Sequence, residues 1–378
     1  MLPSRRDSYI DYWRGLFHIM MLVDHLPFLL PGLTIIDGLF GFFGYVTVAE
    51  GFVFLSGYVT GLVYTRIRDE KGQCAVRCKA VLRAFTIYAT YVVAVLFLVI
   101  LVRLGGTAGV SWDSWSRLFE APPATTFVQV VCLLWQPSFL EILPMYSLFL
   151  LVTPAILPQL DRGRYWLVIS VSILVWTANQ FGLRDGLLAA VEIDAHRFGS
   201  FNFCAWQILF VCGMICGHKT HRKGEPWLPK NAALAIGAGA LALLCFAWSH
   251  DVFRLPFSQI WVRRSSIAPV RLANFICLAF LAARFRGPVG KLIKGRELAL
   301  LSQHSLQVFA FHLIPIYGAA VLFTERGQLP WWAQLLFICP CVLGLFYIAW
   351  LSSLVKSTAA RLRGRPTVVL PLQAEKMK

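Results

Sequence analysis

Charge is scarce in this sequence, and acidic charge is scarcer still. Only 14% of the 378 residues are Asp, Glu, Lys or Arg, against 58% hydrophobic and 14% aromatic, and the mean hydropathy is +0.65. That deficit excludes an ordinary soluble domain, in which about a quarter of residues are charged. Linkers are missing too. No Pro-, Gly- or Ser-rich stretch, low-complexity tract or internal repeat divides the chain, so a single domain over 1–356 with a short basic tail over 357–378 is expected. Metal-ligand sets are absent: Cys74 and Cys78, and Cys212 and Cys216, have helical spacing, but no His/Cys set accompanies either pair. They read as reduced structural cysteines. The first apolar stretch follows Arg5 and Arg6 but carries Asp11, Arg14, His18, Asp24 and His25, which no signal-peptide core would tolerate, so it is read as a retained helix.

What is abundant is long apolar sequence. A hydrocarbon core of about 30 Å takes about 20 helical residues at ~1.5 Å each. Runs of that length fall near 8–30, 40–66, 80–104, 139–158, 164–182, 201–219, 230–248, 267–285, 300–323 and 330–355. The expected fold is all-α, a polytopic membrane protein with about ten transmembrane helices. Orientation follows from the bias of Lys and Arg toward the cytoplasm. With the N-terminus inside, the inner segments hold 25 of the 35 Lys and Arg residues, the outer segments hold seven, and Arg14, Arg103 and Arg271 lie within helices. Both termini are therefore expected in the cytoplasm. The same bias accounts for the net charge of +16 through topology and anionic lipid, with no need of a nucleic-acid partner.

Polar residues at membrane depth are expensive and point to function. In the first helix Asp11, Arg14, His18 and His25 fall at offsets 0, 3, 7 and 14, one face of a 3.6-residue helix. An Asp11–Arg14 ion pair near the inner surface is the bland alternative for those two. His25 lies in the outer half, beside Asp24 and before Pro27. The second helix brings Glu50 to the level of His25, and nothing in its packing pattern calls for a carboxylate there. Its Ser56, Gly57, Thr60 and Gly61 form a small-residue face suited to close helix packing. Further polar groups open later helices on the outer side: Glu141 and Tyr146, then Asn202, Trp206 and Gln207, then Arg271, with His312 at mid-depth in the ninth. Together they describe an outward-facing polar pocket. His196, His218, His221, His250 and His304 fall in loops or at helix ends and are given no role. The outer connection 105–138, with Trp112, Trp115, Phe119, Phe127 and Trp135, has the aromatic content of a segment at the membrane interface.

An imidazole beside carboxylates suits general-base deprotonation of a hydroxyl, because its ordinary pKa lies near neutrality. On residue chemistry alone a proton-coupled transporter or flippase with a His/Glu/Arg pocket fits as well. The order of motifs separates them. Arg6-Asp7-Ser8-Tyr9-Ile10-Asp11-Tyr12-Trp13-Arg14-Gly15, then Asp24-His25-Leu26-Pro27, then Ala49 through Tyr64 resemble the OpgC family of membrane succinyltransferases, which modify osmoregulated periplasmic glucans. Leu143-Pro144-Met145-Tyr146, Phe201 through Gln207, and His304-Ser305-Leu306-Gln307-Val308-Phe309 leading to His312 extend the resemblance over nearly the whole chain. More distantly, Arg14-Gly15 followed by His25 resembles the wider membrane superfamily that O-acylates extracellular glycans. Two departures stand out: Ser302-Gln303 replace an expected Gly-Arg pair, and Phe203-Cys204 follow Asn202 where a Pro is common.

The resemblance implies a bacterial inner-membrane enzyme without a permanently bound cofactor. Its donor would be a cytoplasmic acyl-coenzyme A, most simply succinyl-coenzyme A, and its acceptor a periplasmic glucan hydroxyl. His25 would then be the catalytic base and Glu50 or Asp24 its orienting carboxylate. Asp11 and Arg14 would link to the inner face, with Arg77, Lys79 and Arg83 as candidates to hold the donor's phosphates and Arg271 to pair with a succinyl carboxylate.

Overall fold

The computed structural model describes residues 7–29, 43–105, 122–193, 199, 201–224, 231–253, 259–292, 296–322 and 330–362. Trp112, Trp115, Phe119, His196, Arg5 and Arg6, and the tail beyond 362, lie outside these. Among the described residues the architecture is all-α. The helices are Ser8–Leu29 (α1), Val48–Gly105 (α2), Pro123–Val131 (α3), Ile142–Asp161 (α4), Tyr165–Gln180 (α5), Leu183–Ala190 (α6), Phe203–Lys223 (α7) and Ala232–Ser249 (α8). Pro269–Arg284 (α9), Arg286–Leu292 (α10), Arg296–Gln303 (α11), Ser305–Leu322 (α12) and Trp331–Leu362 (α13) complete the order. The last helix therefore continues past 356, where the basic tail was expected to begin.

By length and composition α2, α4, α8 and α13 can cross a membrane, and α5 with α6, bent by 74°, make a fifth candidate. Trp166, Phe181, Ile236, Leu336 and Leu343 point outward from these helices and stay exposed, as side chains facing lipid do. This is a membrane protein. Helix α1 is long enough to span, but Asp11, Arg14 and Asp24 lower its hydropathy. Asp11 is buried against protein, and Arg14 and Asp24 line a cavity inside the bundle.

Local chemistry sets the helix ends. Asp7 Oδ1 accepts the Tyr9 and Ile10 amides (3.1 and 3.3 Å) and starts α1. Asn202 accepts the Cys204 amide (3.0 Å) at the start of α7, and Gly224, at φ +75°, ends it. Helix α2 breaks at Gly72, whose φ of +79° is open to glycine at little cost. The break separates the two expected spans 40–66 and 80–104. Beside it, Gln73 donates to the Pro154 carbonyl (2.8 Å), which lost its helical donor because residue 158 is also proline.

The small-residue face of α2 packs against α7. A Cβ on Gly57 would lie 2.1 Å from the Phe210 carbonyl oxygen, and one on Gly61 2.2 Å from that of Met214. The approach is reciprocal, since Gly213 and Gly217 sit equally close to the carbonyls of Phe54 and Tyr58. Two small-xxx-small pairs thus bring the backbones together, as membrane helices do where apolar burial gives no drive for association. Ser56 and Thr60 turn instead to a cavity. Where the α2 break meets the ends of α4 and α7, Asp161 accepts from Arg68, His218 Nε2 (2.9 Å) and Arg222 Nη2 (2.5 Å), and Asp69 accepts from His221 and Arg222 (3.0 Å each). Burial raises the Asp69 pKa, but the hydrogen bonds and charges of His221 and Arg222 outweigh it and hold the carboxyl below its ordinary range. His218, given no role from the sequence, is 1% exposed in the last turns of α7, between Asp161 and the Tyr165 hydroxyl. It is a structural histidine.

Candidate active site

Between α1, α2, α4 and α12 lies a cavity of about 500 Å³. Helix α2 lines it from Val48 to Tyr64, about 24 Å of helix at ~1.5 Å per residue. At one end are Lys79 and Arg83, and at the other Asp24, His25, Glu141 and Arg264, with Arg14 and His18 on the wall between them. The first end is the one where the basic residues of the α2 break and of the α4 and α7 termini gather. Arg77 is exposed and does not line the cavity.

His25 faces this space with one ring nitrogen committed. Its Nδ1 lies 3.2 Å from His312 Nε2, and its ring stands 4.3 Å from that of Phe139. His312, fully buried behind it, uses Nδ1 to bond the Phe309 carbonyl. A carbonyl accepts only, so His312 Nδ1 carries the proton and its Nε2, in the neutral ring, is an acceptor. His25 Nδ1 must then donate, which leaves the lone pair on His25 Nε2. The tautomer of the base is thereby assigned by a backbone carbonyl two steps away.

The expected carboxylate partners are placed differently. Glu50, fully buried, accepts from Arg271 Nη1 (2.6 Å) through one oxygen and from the Thr47 amide (3.0 Å) and hydroxyl through the other. Thr47 and Glu50 have the spacing of a capping box, and the Glu50 side chain makes its half of one by accepting the Thr47 amide. Glu50 therefore has a packing use. Arg271 also donates to the Val262 carbonyl (3.2 Å), so its guanidinium is committed. Asp24 lines the cavity without a hydrogen bond to His25 among the described residues.

The polar face of α1 divides in the same way. Ser302 Oγ donates to Asp11 (2.8 Å), and Ser305 Oγ lies 2.6 Å from His18 Nε2, so the α11–α12 junction meets two members of the stripe. Ser302, which departs from the expected Gly-Arg pair, is the residue that meets Asp11. Arg14, His18 and His25 all line the cavity. Glu141 and Tyr146 also line it, and the Glu141 carboxylate lies against Gly199. Asn202, Trp206 and Gln207 do not: Asn202 pairs with Asn179 (2.7 Å), Gln207 with Ser172 (2.7 and 2.8 Å), and Trp206, fully buried, with the Ser265 carbonyl (3.2 Å). They join α7 to its neighbours.

A half-buried imidazole with its lone pair on Nε2, set in a long cavity that is basic at its far end, can take a proton from a hydroxyl entering at its own end. The comparison with known families bears on which chemistry this serves. A family profile described as OpgC protein matches residues 6–357. The chain belongs to the OpgC family. That membership, which the N-terminal motifs anticipate, supports a membrane acyltransferase that modifies glucans. No curated protein and no solved structure matches the chain.

Proposed function

We propose that this OpgC-family protein is an inner-membrane O-acyltransferase that moves a succinyl group from cytoplasmic succinyl-coenzyme A to hydroxyls of osmoregulated periplasmic glucans. The observation that carries the reading is the cavity joining Lys79 and Arg83 to His25. By the inside bias of basic residues, the Lys79 and Arg83 end is cytoplasmic and the His25 end periplasmic, with about ten spans and both termini inside. The donor's phosphates are held at the basic end, and its thin pantetheine arm passes Arg14 and His18 to bring the thioester to His25. There His25 Nε2 accepts the proton of a glucan hydroxyl as its oxygen attacks the thioester carbonyl. The carbon–sulfur bond breaks, and the coenzyme thiolate recovers the proton from His25. Every atom and charge is returned, and an ester is left on the sugar.

A cavity that reaches toward both faces also fits a transporter or flippase, which would leave its substrate unmodified. Mass spectrometry of periplasmic glucans from cells lacking the protein, complemented with the native chain or with His25→Ala, separates the two. Added succinyl mass with the native chain alone, at equal membrane levels, is the expected result. Identical glucan masses in all strains would sink the proposal and favour transport.

A further inference from the structure

The periplasmic end of the cavity holds a cation that the proton transfer above leaves unexplained. Arg264 lines the cavity together with His25 and Asp24, and its charge is near enough to act on both. Its guanidinium carbon stands 5.4 Å from the centre of the Phe201 ring, the geometry of a cation over an aromatic face. Its Nε is buried with no hydrogen-bond partner, and no ion pair within 4 Å reaches it among the described residues. Arg271, by contrast, is neutralised by Glu50.

The backbone carrying Arg264 is held with unusual thoroughness. Trp176 Nε1 donates to the Ile267 carbonyl (2.9 Å), Gln180 Nε2 to Ser266 (2.9 Å), Trp206 Nε1 to Ser265 (3.2 Å) and Arg271 Nε to Val262 (3.2 Å). Two turn bonds, from the Ile267 amide to the Arg264 carbonyl and from the Ala268 amide to that of Arg263, close the segment on itself (3.1 Å each). Side chains of α5, α7 and α9 thus fix one short strap, and the strap presents one arginine to the cavity. A half-buried guanidinium with a buried, unbonded Nε and no described carboxylate within ion-pair distance gains from an anion that meets it, and a planar fork of donors suits a carboxylate.

We propose that Arg264 binds the terminal carboxylate of the acyl group, selecting a dicarboxylic half-thioester over a neutral acyl chain of equal length. This deepens the acyltransferase reading and rests on it. Two methylenes place the free carboxylate about 4 Å from the reacting carbonyl carbon, a span that one small cavity end containing both Arg264 and His25 accommodates. Trp206, Gln180 and Trp176 become positioning residues for specificity rather than contacts to substrate.

The test uses the full chain in lipid nanodiscs with glucan acceptor, and compares kcat/KM for succinyl-coenzyme A with that for butyryl-coenzyme A, its neutral match in length. The native protein is expected to prefer the succinyl donor. Arg264→Gln is expected to lower the succinyl-to-butyryl ratio about 30-fold, chiefly through KM for the succinyl donor, as loss of a charge-assisted bond would. Arg264→Lys should recover part of the ratio. A ratio unmoved in both variants, a native preference for butyryl, or equal loss with both donors in both variants would each overturn the assignment. A native protein that transfers neither donor would remove the acyltransferase reading itself, and this one with it.

Discussion

His25 Nδ1 and His312 Nε2 lie 3.2 Å apart, joining helices 287 residues distant in sequence, and the bond runs on to the Phe309 carbonyl. A histidine occupies the place behind the base where a carboxylate was expected. A neutral imidazole orients the base and fixes its tautomer, yet it offers the imidazolium no full counter-charge.

The first prediction follows from that arrangement. His312→Ala leaves His25 free to rotate and to hold its proton on either nitrogen. Glucan acylation should fall about 10- to 100-fold in kcat with KM for the donor within about twofold, less than the full contribution of a general base, ~10²–10⁴. His312→Gln, which keeps an acceptor in place, should recover part of the rate. Steady-state kinetics in nanodiscs decides it, and an unchanged kcat in His312→Ala would remove His312 from the site.

What could be read in advance and what could not divides along a physical line. The stripe of Asp11, Arg14, His18 and His25 and the small face of α2 are periodic, and periodicity is a local property of sequence. Which partner each polar group meets is tertiary. Glu50 and Arg271 lie 221 residues apart, and depth alone cannot distinguish Arg271, already paired, from Arg264, which faces the cavity unpaired. Glu50 could have been assigned locally, since Thr47 and Glu50 carry the spacing of a capping box. Asn202, Trp206 and Gln207 are expected in the outward-facing pocket, and none of them lines the cavity: hydrogen-bonded supports and substrate contacts carry the same polar signature at a helix start.

The second prediction concerns the Glu50–Arg271 pair, whose two side chains are 0% and 9% exposed. Removing one partner strands a buried charge, so Glu50→Gln or Arg271→Met should destabilise the protein by about 3–5 kcal/mol, with most of that restored in the double variant. Thermal unfolding in a single detergent reads this directly. Activity in each variant should track the folded fraction. A Glu50→Gln protein that is fully stable but inactive would instead return Glu50 to the catalytic machinery.

The third prediction separates topology from binding among the basic residues of the α2 break. All three are exposed, but Lys79 and Arg83 line the cavity and Arg77, two residues from Lys79, does not. If the basic residues served only to keep this end in the cytoplasm, the three would be interchangeable, because the inside bias counts charges without regard to where each side chain points. If the cavity end receives the donor's phosphates, direction matters, and each lost contact costs about 1.5–3 kcal/mol when charge-assisted. Lys79→Ala and Arg83→Ala should therefore each raise KM for the acyl-coenzyme A donor about tenfold or more with kcat nearly constant, while Arg77→Ala should leave KM within about twofold. Equal effects of all three substitutions on KM would mean that charge alone acts at this end, and the donor's entry would have to be sought elsewhere in the fold.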